Sequence, residues 1–198
     1  MPLPPPTPRI VLGSTSRYRA ELLRRLLREF EQAAPNTDES PRSNEAPAAR
    51  ALRLAVAKAE SVAGTHGNAL VIGSDQVAEV DGVILHKPGT DQRARAQLAA
   101  SSGRTVNFHT ALCLLDARGG CAQTHVDHTL VRFRQLAPAE IERYVEREQP
   151  LDCAGSFKCE GLGISLFAAI DSHDPSALIG LPLIALARLL RDAGVAVP

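Results

Sequence analysis

The chain has 198 residues, 44% of them hydrophobic, enough to bury one substantial core in a single domain or two closely packed lobes. Its 22 Lys+Arg balance its 22 Asp+Glu, which excludes a global field that would draw it to nucleic acid or an anionic membrane, so any anion must be caught locally. No stretch approaches the roughly 20 apolar residues of a membrane-spanning helix, and the start, Met1-Pro2-Leu3-Pro4, lacks the charged-then-apolar pattern of a secretory signal. The expectation is a cytoplasmic protein without nucleic-acid or membrane partners.

In chain order, the prolines of residues 1 to 8 predict a flexible tail, because proline donates no ladder hydrogen bond. Residues 9 to 198 are read as one catalytic domain. Its first strand is Arg9-Ile10-Val11-Leu12, followed by Ser14-Thr15-Ser16 as N-cap chemistry and by Leu22, Leu23, Leu26, Leu27 and Phe30 at helical spacing. Residues 35 to 46 are polar and read as a surface loop, and residues 47 to 63 as an alanine-rich helix with proline at its start. The apolar run Leu70-Val71-Ile72-Gly73 predicts a buried strand ending at Ser74-Asp75-Gln76. Asp81-Gly82, between valine-rich runs, predicts a β-hairpin. Further on, residues 90 to 100 and 138 to 147 read as helices and residues 106 to 115 and 124 to 133 as long strands. A last helix over about 181 to 193 stops at Gly194. Alternating strands and helices with hairpins among them predict an α/β fold with a mixed sheet.

Several chemistries are excluded. There is no GxxxxGK[ST] phosphate loop, no full dinucleotide fingerprint around Gly161-Leu162-Gly163, no GxSxG and no HExxH. Cys113, Cys121, Cys153 and Cys159 lack CxxC spacing and read as free thiols. His125 and His128, three apart on a strand, point to opposite faces, and the adjacent Ser172-His173-Asp174 cannot align as a triad.

What remains is a set of polar clusters. Ser14, Ser16 and Arg19, between a buried strand and a helix start, form a possible anion cradle, the plain alternative being a helix cap beside solvated arginines. Glu39 lies in the polar loop, Asp75 at the expected strand end and Lys87-Pro88 after the hairpin. Lys58 sits on the alanine-rich helix, where a lone lysine would otherwise snorkel to solvent. One or two carboxylates with phosphate oxygens suffice for Mg²⁺ or Mn²⁺, and lysines neutralise phosphate as point charges.

Together, the opening SxSxxR, then DE, KA, GSDQ and KP in that order, resemble the Maf family of nucleotide pyrophosphatases over residues 10 to about 194. The chain looks closest to the branch acting on 7-methyl-GTP, through Ala33-Ala34-Pro35, Gly73-Ser74-Asp75-Gln76-Val77, Cys153-Ala154-Gly155-Ser156-Phe157-Lys158, Glu160-Gly161-Leu162-Gly163-Ile164 and Gly180-Leu181-Pro182-Leu183-Ile184. The resemblance implies a Maf/inosine-triphosphatase-like fold, with flanking helices and two lobes around a deep cleft, often a homodimer. It also implies a divalent metal (Mg or Mn) and cleavage of a nucleoside triphosphate to monophosphate and pyrophosphate, clearing modified nucleotides from the pool. By the same resemblance Asp75 is the proton acceptor. Ser14, Ser16, Arg19, Lys58 and Lys87 bind phosphate, Glu39 and Asp75 bind metal, and Tyr18, Gln76 and Glu160 set base choice. Glu160 can accept the two N–H donors of the guanine edge, and the cationic ring of 7-methylguanine favours an aromatic face such as Tyr18. Alternatives are a dTTP or UTP pyrophosphatase of the same family, or a non-catalytic nucleotide-binding regulator of septum formation. Two departures stand out: Arg17 where the family has proline, and His86 where it has glycine before Lys-Pro.

Overall fold

Apolar runs become strands and alanine- or leucine-rich stretches become helices in a computed structural model that describes residues 8–198. The expected tail therefore lies outside the described residues, apart from Pro8. The elements are β1 (Arg9–Leu12), α1 (Arg17–Leu23), β2 (Glu31–Gln32), α2 (Pro47–Ala63), β3 (Ala69–Val80), β4 (Val83–Leu85), α3 (Asp91–Ser101), β5 (Thr105–Asp116), β6 (Cys121–Phe133), α4 (Pro138–Glu148), β7 (Phe167–Asp171) and α5 (Leu183–Asp192). They build one seven-stranded sheet in the order β2-β1-β3-β5-β6-β7, with β4 also on β3. β1 runs parallel to β2 and β3, and the remaining pairs are antiparallel. The fold is thus the expected mixed α/β sheet with flanking helices. Among the described residues no helix is long and apolar enough to cross a membrane.

The two sheet faces follow from the period of two in β3. Val71 and Val77 join Ala51, Ala55 and Ala59 of α2 in one core. On the other face Leu70 and Ile72 pack with α1 and α5. Further along that face Ala78 and Val80 pack with α3, α4 and the edge-to-face ring cluster of Phe108, Phe133, Phe157 and Phe167. A cleft opens between these cores. The helix α2 lies unusually close to β3, because a Cβ added at Gly73 would stand 2.1 Å from the Ala55 carbonyl oxygen. The hairpin expected at Asp81-Gly82 forms, with φ of 50° and 80° as its turn requires.

Two expectations change. Asp75 does not end a strand: β3 continues through it to Val80, because β5 pairs with β3 from Leu70 to Glu79 and holds the polar stretch extended. The first helix stops at Leu23, after which Arg25 and Leu26 bond the carbonyls of Leu22 and Leu23 in a tightened turn. Leu26, Leu27 and Phe30 still reach the core, but from a turn that delivers β2 alongside β1.

Candidate active site

The site lies where one edge of β3 is bare. β1 covers that edge at residues 69–72 and β4 covers it at residues 78–80, which leaves residues 73–77 between them without a strand neighbour. The chain leaves β1 with the Gly13 N–H still donating to the Ile72 carbonyl at 2.8 Å, and then turns away. A cleft of about 950 Å³ opens there, at the carboxyl end of β1 where it departs from its parallel neighbour.

Ser14, Ser16 and Arg19 border the cleft from the β1–α1 turn. Ser16 caps α1, accepting from the Arg19 N–H at 3.4 Å, while Ser14 Oγ accepts from the Ser16 N–H at 3.2 Å and from Arg19 Nη1 at 3.4 Å. The plain capping reading and the cradle reading therefore coexist in one turn. Arg19 Nε donates to the Gly180 carbonyl at 2.9 Å, and Ser74 Oγ donates to the same oxygen at 3.0 Å, which aims the guanidinium. Burial lowers the Arg19 pKa, opposed by Asp75 and Glu39, yet an arginine so placed stays charged at neutral pH.

Lys58 is the hub of an acidic pair. Its Nζ lies 2.6 Å from Asp75 Oδ1 and 2.8 Å from Glu39 Oε1. The close approach at Gly73 makes this possible, since Gly73 and Asp75 share the β3 face that α2 covers. The loop carrying Glu39 is tied to α2 by two arginines. Arg50 Nη2 donates to the Glu39 carbonyl at 3.2 Å, and Arg53 Nη2 to the Ser40 carbonyl at 3.2 Å. Burial tends to raise the Glu39 carboxyl, but its bond to Lys58 and the charges of Lys58, Lys87 and Arg19 together hold it below the usual value. Lys87, exposed after β4, borders the same cleft.

The opposite wall comes from residues 152–160. Tyr18 Oη accepts from Arg17 Nη2 at 2.7 Å and donates to the Asp152 carboxylate at 3.3 Å. The Arg17 guanidinium lies 4.7 Å from the centre of the Tyr18 ring and covers one of its faces. Burial pushes the Tyr18 phenol up to about 12, so it remains a neutral donor. Glu160 borders the cleft from an exposed turn, next to Lys158, whose Nζ is anchored on the Glu148 carbonyl at 2.7 Å. Gln76 also lines the cleft, but its Nε2 is committed to Thr110 Oγ1 at 2.9 Å and to the carbonyls of Ala177 and Leu178 at 3.0 and 3.1 Å. Only its Oε1 is left for a ligand. The cysteines are free, and burial pushes the cleft thiols of Cys153 and Cys159 up to about 12, which keeps them protonated and unreactive.

The Maf-like protein family model matches residues 9–193. The chain belongs to the Maf family. A 7-methyl-GTP pyrophosphatase of Xanthomonas oryzae pv. oryzae (strain MAFF 311018) is 60% identical over 192 residues, covering 96% of this chain and 100% of the relative. Another 7-methyl-GTP pyrophosphatase, from Burkholderia pseudomallei (strain 1710b), is 57% identical over 191 residues, covering 94% of this chain and 88% of the relative.

The positions to which the Maf resemblance gives a role, Ser14, Ser16, Tyr18, Arg19, Glu39, Lys58, Asp75, Gln76, Lys87 and Glu160, all border one cleft. Three contributors were not anticipated: Arg50, Asp152 and the Gly180 carbonyl. Arg50 carried a usable signal, because it precedes Lys58 by eight residues and so shares its helical face. Gly180 stood in the quoted Gly180-Leu181-Pro182-Leu183-Ile184 segment without a role, and Asp152 carried no signal, both being brought in by segments more than a hundred residues from their partners. Asp174, rejected as a triad member, accepts from the Ser176 and Ile184 N–H groups and fixes the start of α5.

The donor set around Lys58 is one of hard carboxylate oxygens. Among the described residues no three His, Cys, Asp or Glu side chains gather into a metal centre. Glu39 and Asp75, meeting at one ammonium, are a pair of carboxylates of the kind that holds Mg²⁺ or Mn²⁺ when phosphate oxygens and water complete the shell.

Proposed function

We infer that this protein is a nucleoside triphosphate pyrophosphatase that hydrolyses 7-methyl-GTP to the monophosphate and pyrophosphate, removing a modified nucleotide from the pool. The observation that carries the reading is Asp75, ion-paired with Lys58 at 2.6 Å on the bare edge of β3, in one cleft with a Ser14–Arg19 cradle and with Glu160. The names of the relatives from Xanthomonas and Burkholderia support the choice of substrate.

The chemistry assigned to the side chains is the following. Asp75 orients a water in line with the α-phosphorus and accepts its proton as the new P–O bond forms and the bond to the β-phosphate oxygen breaks. Arg19, Lys58 and Lys87 take up charge on the phosphate chain, and Ser14 and Ser16 place it with hydroxyl contacts. A divalent cation held by Glu39 and Asp75 would supply further neutralisation of that charge. On the opposite wall Glu160 accepts from the guanine edge, Gln76 offers its Oε1, and Tyr18 presents a ring to the cationic base.

The test is turnover of a nucleotide panel, 7-methyl-GTP, GTP, dTTP and UTP, with Mg²⁺ or Mn²⁺, scored for monophosphate, pyrophosphate and orthophosphate. The expected result is monophosphate plus pyrophosphate, with the highest kcat/KM for 7-methyl-GTP. Asp75→Asn should lower kcat by about 10²-fold or more, the scale of a lost proton acceptor. Preference for dTTP or UTP would move the substrate, binding without products would make the protein a regulator, and orthophosphate release would overturn the bond assignment.

A further inference from the structure

Arg50 is only 9% exposed, yet among the described residues no acid pairs with it. Its side chain makes one hydrogen bond, from Nη2 to the Glu39 carbonyl, and its Nε is buried with no acceptor. Arg53, three residues on, is the internal contrast, because its Nε and Nη2 meet the Glu45 carboxylate at 2.5 and 2.7 Å. A chain that needed only to pin the Glu39 loop already has Arg53 on the neighbouring Ser40 carbonyl. Keeping a second guanidinium in place with its Nε buried and unpartnered is costly unless an anion completes it.

That guanidinium borders the cleft, on the same α2 face as Leu54 and Lys58, which border it too. Eight residues of helix separate Arg50 from Lys58, about 12 Å along the axis. Arg50 Nη2 holds the Glu39 carbonyl, and the carboxylate of the same residue meets Lys58 Nζ at 2.8 Å, so Arg50 adjoins the Lys58–Asp75 pair through Glu39, on the wall built by α2 and the Glu39 loop. An anion meeting both Arg50 and Lys58 would lie along the α2 wall, to which residues 152–160 do not belong.

We propose that Arg50 is a binding residue for the pyrophosphoryl portion of the nucleoside triphosphate, its unused N–H groups meeting oxygens of the phosphates beyond the cleaved bond. The planar fork of a guanidinium matches phosphate oxygens in pairs, which a lysine at this position would not do. The same side chain holds the Glu39 carbonyl, so arrival of the phosphates also settles the loop that carries Glu39. The assignment rests on the polyphosphate chemistry proposed above, and its test does not depend on turnover.

Isothermal titration of the full chain with inorganic tripolyphosphate, pyrophosphate and a nucleoside monophosphate, for wild type, Arg50→Lys and Arg50→Gln, decides it. Arg50→Gln should weaken tripolyphosphate and pyrophosphate binding at least tenfold and raise KM for the triphosphate by a similar factor, with monophosphate affinity within twofold of wild type. Arg50→Lys, which keeps the charge and loses the fork, should fall between. Melting temperatures and circular dichroism identify a variant that has lost its fold, and the lysine variant then carries the comparison. Tripolyphosphate affinity within twofold of wild type in a folded Arg50→Gln protein would overturn the proposal, as would equal losses for monophosphate and tripolyphosphate, the signature of a loop clamp alone. Binding of tripolyphosphate that depends on Arg50 without any nucleotide turnover would instead sink the pyrophosphatase reading and leave Arg50 in place.

Discussion

Lys58 holds two carboxylates at once, and the titration of Glu39 reports on that arrangement. The Glu39 carboxyl sits below its usual pKa because Lys58, Lys87 and Arg19 outweigh the opposing effect of burial. A folded-state pKa lowered in this way contributes stability that is present above the ordinary glutamate value and is lost as pH falls through the folded value. The side chain is 57% exposed, so the contribution is screened and small, and the titration itself is the better readout. Lys58→Gln should move the Glu39 pKa upward, toward that of an unperturbed glutamate, in a carboxyl-carbon NMR titration; no movement would mean that the contact is not formed in solution. At this scale the positions were legible only as a set. A lysine among alanines or a lone aspartate after an apolar run says little, but SxSxxR, GSDQ and KP in order point to one cleft. The helical spacing of Arg50 from Lys58 was there to be used, but an arginine on an alanine-rich helix is ordinary by itself, and the bonds of Gln76 to Ala177 and Leu178 join residues that no local pattern connects.

Between elements, the contact that matters most is α2 against β3. A methyl group at residue 73 would stand 2.1 Å from the Ala55 carbonyl and 2.8 Å from the Ala59 nitrogen, both backbone atoms that cannot step aside singly. Gly73→Ala should therefore cost about 1–3 kcal/mol of stability, the usual range for forcing volume into a packed core, read as a lower denaturation midpoint. It should also reduce turnover, because α2 can make room only by shifting Lys58 relative to Asp75. Full activity in a destabilised variant would separate the packing from the site. Long periodic elements were readable from the sequence, as with α2, β5 and α4, whereas the end of α1 was not. Leucines continue past Leu23 at helical spacing, and only the pairing of β2 with β1, a tertiary contact, explains why the helix stops. The same holds for β3, where polar residues suggest an end and the pairing with β5 carries the strand on.

At the level of the whole molecule, with zero formal charge and no three-ligand metal centre among the described residues, the cation of the proposed reaction would depend on local oxygen donors shared with phosphate. Two carboxylates already engaged with Lys58 are a poor site for a free cation and a good one for a cation that brings phosphate oxygens. Mn²⁺ should bind the protein alone at least tenfold more weakly than it binds in the presence of a non-hydrolysable nucleoside triphosphate, by titration calorimetry. Equal affinities would point to a preformed metal site and a different role for Glu39.

The two walls of the cleft have separate origins in the chain. Apart from Tyr18 and Gln76, the side proposed to face the base is drawn from residues 152–160 and braced by α4, while the side proposed to carry the reacting groups is drawn from residues 14–87. Under the proposed function, exchanging residues 152–160 replaces Glu160 among the three base-facing side chains and leaves Tyr18, Gln76 and the groups around Asp75 as they are.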